Sequence, residues 1–220
     1  MQVSRTRYIS TVAILSAISF GLMYLDFAIP SVMPSFVKMD FSELPALIGS
    51  FALGPIAGVL ICLVKNLIHL SITTTGGVGE LCNFLLGAVF VATAGMIYKH
   101  KKTRLWALIA CIAGSIAMAV LSYPINLWIT YPFYYNFMPK EAIIGAYKAI
   151  LGFVNSIEVA LLVFNTPFNI VKCLLVSTIT FFVYKPLSYV IKSYHFGGND
   201  KKEILEKEET KEEVPQTTEN

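Results

Sequence analysis

Residues 164–185 read FNTPFNIVKCLLVSTITFFVYK. The run is greasy, yet it opens with two amides and an amine. A helix needs about 20 predominantly apolar residues to cross a bilayer, and Pro167–Val190 supplies such a segment. With Pro167 in the first helical turn, Asn165, Asn169 and Lys172 follow at spacings of four and three, which puts all three on one face. The stretch reads as a membrane helix with a polar stripe at one end. Its partners must come from the rest of the chain.

Composition supports a membrane protein. The 220 residues are 55% hydrophobic and 14% charged, with a mean hydropathy of +0.65, whereas soluble domains are roughly a quarter charged. The net charge of +3 hides a polarised layout, because eight of the fourteen acidic residues lie from Asp200 onward. Residues 196–220 are expected to form a disordered acidic cytoplasmic tail, too poor in large apolar residues to build a core. Residues 1–195 form the expected membrane domain. Cys62, Cys82, Cys111 and Cys173 each sit in an apolar run without CxxC spacing and read as free small hydrophobes. His69, His100 and His195 are far apart and lack metal-ligand spacing, so no metal site is expected.

Six crossing segments are expected: Tyr8–Ala28, a short Glu43–Leu53, Pro55–Ile72, Glu80–Tyr98, Leu105–Ile129 and Pro167–Val190. One kinked span over 43–72 is the alternative, giving five. The fold class is thus an all-α integral membrane protein with a long, partly helical loop before its last span. Lys and Arg concentrate on the cytoplasmic side of membrane proteins. With six spans and the N-terminus inside, the inner segments hold Arg5, Arg7, Lys99, Lys101, Lys102, Arg104, Lys185 and Lys192, against Lys38, Lys140 and Lys148 outside. Both termini are therefore expected in the cytoplasm, and the polar stripe at the outer end of the last span.

Ionisable and amide groups inside spans are costly and point to function. By this topology Asp40, Glu43, Asn126, Glu158, Asn165, Asn169 and Lys172 gather toward the outer face, with Trp128 and the aromatics of YPFYYNF at the same level. Aromatic walls with a few placed polar groups suit a planar solute whose edge carries both C=O and N–H. Snorkelling of Lys172 and an interfacial aromatic belt are the structural alternatives. Lys65 and Glu80, flanking the turn TTTGGVG, read as an internal ion pair. Ala13, Ala17 and Gly21 form a small-residue stripe on the first span, suited to close helix approach within the chain or from a partner. There is no GxxxxGK[ST] phosphate loop, no nucleophile constellation and no nucleic-acid signature, so an enzyme is not expected.

Four stretches together resemble one family: AILSA, the loop SFVKMDFSELPALIGSFALGPIAGVLICLVKNLIHL, GGVGELCNFLLG, and PFNIVK. Across about residues 8–192 the chain is similar to substrate-binding subunits of energy-coupling-factor (ECF) transporters, and most closely to riboflavin-specific ones. The resemblance implies a plasma-membrane subunit that captures riboflavin from outside with high affinity, its phosphate flavin mononucleotide being a further candidate ligand. No cofactor is implied. Partners would be a transmembrane coupling protein and two ATPases, the coupling protein contacting Ala13 and Ala17. The family's flavin-binding asparagine and lysine fall on Asn169 and Lys172, and another asparagine corresponds to Asn126. The first outer loop would cover the ligand near Phe36, Met39, Asp40 and Phe41.

Overall fold

The computed structural model describes the backbone of residues 5–196 and the side-chain surroundings of residues 5–182. The expected acidic tail beyond Phe196 lies outside the described residues.

Apolar sequence becomes helix at once: α1 spans Arg5–Tyr24 and buries Ser16, Ser19 and Met23 while Ile9, Ile14 and Ile18 stay exposed. This inside-out pattern suits lipid, which is no less apolar than a protein core. A small antiparallel ribbon then pins the first loop: β1 (Phe27–Ala28) pairs with β2 (Lys38–Met39), with Phe27 opposite Met39.

α2 (Glu43–Leu53) and α3 (Pro55–His69) are separate helices rather than one kinked span. Gly54 lies at φ 103°, a conformation that glycine adopts without steric cost. Pro55 opens α3, where its missing N–H is no loss. Glu43 at the start of α2 pairs with Lys65 near the end of α3, so the two helices run antiparallel. The 11 residues of α2 rise only about 16 Å, roughly half a bilayer core.

A turn with Gly76 and Gly77 at positive φ leads into α4 (Val78–His100). α5 (Arg104–Ile125) follows, its first turn capped by Thr103 Oγ1, which accepts from the Trp106 backbone N–H at 3.3 Å. α5 then runs on through a π-turn, Asn126–Thr130, into α6 (Tyr131–Tyr134). α7 (Lys140–Lys148) is short. α8 (Ile157–Ala160), a second π-turn at Leu161–Asn165 and α9 (Thr166–Phe196) again form one rod. The last crossing helix thus begins at Ile157, not Pro167.

The two π-turns have a common cause. Each ends two residues before a proline: Thr130 before Pro132, Asn165 before Pro167. A proline ring clashes with the carbonyl four residues back and brings no N–H. A wider turn just upstream opens the ladder there, so the helix continues instead of breaking.

Among the described residues, five helices are long and apolar enough to cross a membrane: Arg5–Tyr24, Pro55–Ile72, Val78–His100, Arg104–Tyr134 and Ile157–Phe182. The sixth expected crossing, Glu43–Leu53, is the short buried α2. The bundle core joins Leu47, Phe51, Ile61, Phe90, Val91, Met118, Cys173 and Val176. Glycines set its spacing: a Cβ on Gly114 would lie 2.8 Å from the Phe90 carbonyl oxygen, and one on Gly58 2.7 Å from Ser50 Cβ. All four cysteines are free.

Candidate solute-binding cavity

At the end of the bundle that holds the C-terminus of α1 lies a cavity with about 930 Å³ of empty space, its open mouth included. Its walls come from the first loop, the starts of α2 and α4, the end of α3, and the two rods around their π-turns. A π-turn carries one extra residue per turn and so resets which side chains face inward. Asn126, Thr130, Tyr131 and Tyr134 all face the cavity from one rod, and Asn165, Phe168, Asn169 and Lys172 from the other.

Expected residues fare unequally. Phe36, Asp40, Asn126, Asn165, Asn169 and Lys172 line the cavity. Met39 is buried in the ribbon without lining it, and Phe41 packs against the bundle core and Phe27. Glu158 and Trp128 are exposed on the outside of the rods and do not join the cluster. Lys65 does not pair with Glu80, because its ammonium points to the start of α2 rather than of α4. It meets Glu43 at 3.2 Å and the Ser42 hydroxyl. Glu80 instead accepts from His69 Nδ1 at 2.8 Å, Thr73 Oγ1 at 2.9 Å and Thr75 Oγ1 at 3.3 Å.

The polar end of the cavity is a buried charge cluster. Lys172 Nζ lies 3.0 Å from both Asp40 Oδ2 and Glu43 Oε2. Asp40 also accepts from the Ser42 backbone N–H at 2.8 Å and from Asn83 Nδ2 at 3.3 Å. Burial works against the Asp40 charge, but Lys172, Lys65 and the Ser42 hydrogen bonds outweigh it and hold the carboxyl below the usual range. Lys172 is therefore not a snorkelling lysine; it is clamped inside the protein.

The three asparagines do different things. Asn165 closes a ring of hydrogen bonds. The Tyr147 hydroxyl donates to its Oδ1 at 2.7 Å, its Nδ2 donates to the Tyr131 hydroxyl at 3.2 Å, and the Tyr131 hydroxyl meets that of Tyr147. Burial raises the Tyr147 phenol well above its ordinary pKa, so it stays a donor. Asn126 spends Nδ2 on the Ser122 carbonyl at 2.7 Å and accepts from Cys82 Sγ at 3.4 Å. Asn169 is buried, faces the cavity and makes no side-chain hydrogen bond among the described residues. Its whole amide is open to a ligand.

Phe36 closes the aromatic side, with ring centroids 5.7 Å from Tyr134 and 5.9 Å from Tyr147. Tyr147 had no signal of its own in the sequence, since it sits in a polar stretch. Its i+4 spacing from Ile143, the other buried residue of α7, is the pattern that marks it. Tyr147 does not itself line the cavity but braces Phe36, Tyr131 and Asn165, which do, while Thr75, Cys82, Thr130 and Phe168 line it directly.

Fold and cavity together define a class: a helical membrane protein with a small-molecule pocket at one end of its bundle. The family model "ECF transporter, substrate-specific component" matches residues 7–184, and the chain belongs to that family. It is a family of transporter components, not of enzymes. Riboflavin transporter RibU of Staphylococcus aureus (strain TCH60) is 30% identical over 192 residues, covering 87% of this chain and 96% of that one. Riboflavin transporter FmnP of Bacillus subtilis (strain 168) is 26% identical over 178 residues, covering 80% and 88%. A solved structure described as the S component of a bacterial ECF transporter superposes with a TM-score of 0.67 at 30% identity, over 86% of this chain and 99% of that one.

Proposed function

We propose that this protein captures riboflavin in the cavity, on the outer face of the plasma membrane, as the substrate-binding subunit of an ATP-driven importer. The observation that carries the reading is the open Asn169 amide one turn from Lys172, facing an aromatic wall. An amide offers donors and an acceptor to a ring edge bearing C=O and N–H, and an ammonium adds a further donor. The names of the relatives direct that geometry to a flavin. The basic bias of the loops supports an outward-facing cavity with both termini in the cytoplasm.

Ala13, Ala17 and Gly21 are exposed on α1, and nothing lies within 4 Å of a Cβ built on Gly21. That favours a partner over packing within the chain, and we assign this face to the transmembrane coupling protein, which would link the subunit to two ATPases. Asp40 and Phe36 belong to the loop that covers the ligand. Met39 and Phe41 support that loop from behind.

Titration of detergent-purified, ligand-stripped protein with riboflavin, followed by flavin fluorescence, tests the reading. Saturable one-to-one quenching is expected. Its absence from folded protein overturns the assignment to riboflavin.

A further inference from the structure

Lys65 does not line the cavity, yet it is fully buried and carries a charge. A buried ammonium is costly unless its partners repay it. Its partners are Glu43 and Ser42, both in the segment Asp40–Glu43. That segment is gripped from four helices. Ser19 of α1 donates to the Ser42 carbonyl at 2.6 Å, Lys65 reaches in from α3, Asn83 of α4 donates to Asp40, and Lys172 of α9 meets Asp40 and Glu43.

Two carboxylates and two ammoniums make a cluster with no net charge. Lys172 has three N–H donors. Asp40 Oδ2 accepts a hydrogen bond from one of them at 3.0 Å, while Glu43 Oε2, at the same distance, is an ion-pair contact that accepts no hydrogen bond. The donors not given to Asp40 are left for a ligand only while Glu43 does not draw on them. Glu43 also pairs with Lys65, so Lys172 does not balance its charge alone.

We infer that Lys65 is a positioning residue for ligand binding: it balances Glu43 from behind and so leaves the Lys172 ammonium able to serve the cavity. This inference rests on the proposed riboflavin site. Without Lys65 the cluster carries one uncompensated negative charge, and Lys172 is drawn wholly onto its carboxylates. Removing the Glu43 charge as well restores the balance, and Lys65 then has nothing left to do.

The test is a double-mutant cycle in the full chain, with riboflavin as the probe and fluorescence quenching as the readout. K65M in the Glu43 background should raise Kd by about tenfold or more. The same change in an E43Q background should alter Kd by less than about threefold. K65R, which keeps the charge, should stay near wild type. A purely structural role for Lys65 predicts similar losses in both backgrounds, and that result overturns the inference. So does an unchanged Kd for K65M. If K65M alone does not fold, K65M/E43Q against E43Q decides: a gap above about threefold refutes the charge-balance reading. Wild-type protein that binds no riboflavin would instead sink the proposed function, so the two failures are distinguishable.

Discussion

Asn169 and Lys172 stand one helical turn apart, but they are held differently. Asn169 has no side-chain hydrogen bond to lose among the described residues, so Asn169→Ala should weaken riboflavin binding by about 1–3 kcal/mol and leave the melting temperature of the empty protein unchanged. Lys172→Ala should do both kinds of damage, because Asp40 and Glu43 would lose the cation they share, leaving Asp40 with its hydrogen bonds from Ser42 and Asn83 and Glu43 with Lys65. Breaking a buried ion pair costs about 3–5 kcal/mol, so a fall in melting temperature should accompany the lost affinity. Paired thermal and binding measurements on the two variants check this; equal melting temperatures would argue that Lys172 is not structurally clamped. The stripe Asn165, Asn169, Lys172 was legible because helical spacing is local. That Asn165 is spent on Tyr131 and Tyr147 was not, since the partners lie 34 and 18 residues away. The same limit misdirected Lys65. Adjacency to the turn before Glu80 suggested one carboxylate, and the antiparallel return of α2 beside α3 supplied another.

Helices in this chain were easier to find than their ends. Apolar runs of span length mark α1, α3, α4, α5 and α9, because lipid demands long uninterrupted segments. Prolines misled at two places. Pro167 reads as a helix start and Pro132 as a loop residue, yet both are carried within rods by the π-turns upstream. A proline rule assumes an α-helical ladder and has no term for one that has already widened. The two-stranded ribbon is invisible in sequence, since two-residue strands carry no alternation to detect. Packing between elements gives its own prediction. α4 and α5 approach closely at Gly114, where a methyl group would meet backbone rather than a movable side chain. Gly114→Ala should destabilise the fold by about 1–3 kcal/mol, read as a lower melting temperature. Riboflavin affinity per folded molecule should change little, because Gly114 does not line the cavity.

Across the whole molecule, the cavity and the proposed partner face are separate. The cavity occupies one end of the bundle, and the stripe Ala13, Ala17, Gly21 runs along the outside of α1. Ala17→Trp should therefore leave riboflavin binding intact in the purified subunit while reducing uptake by cells. Loss of binding, or normal uptake with normal complex assembly, would remove that face from the coupling interface. The cavity's charge predicts a ligand preference. Asp26, Asp40, Glu43 and Glu80 line it against Lys38, Lys172 and His69. Lys38 pairs with Asp26 at 3.0 Å, and Lys172 with Asp40 and Glu43. A phosphate adds between one and two negative charges near pH 7 and finds no spare cation among those lining residues. Competition titration should show flavin mononucleotide binding more weakly than riboflavin; equal affinities would mean the phosphate sits outside this field. The two π-turns also bear on how such a cavity changes over time. Each is in effect a tolerated single-residue insertion, housed in a continuous rod. Losing one residue there would shift the helical phase and swing every side chain beyond it by about 100°. A new set of groups would then line the walls with no residue replaced. Descent within this family can thus alter a ligand site by chain length alone, and comparisons that score only substitutions will overlook such events.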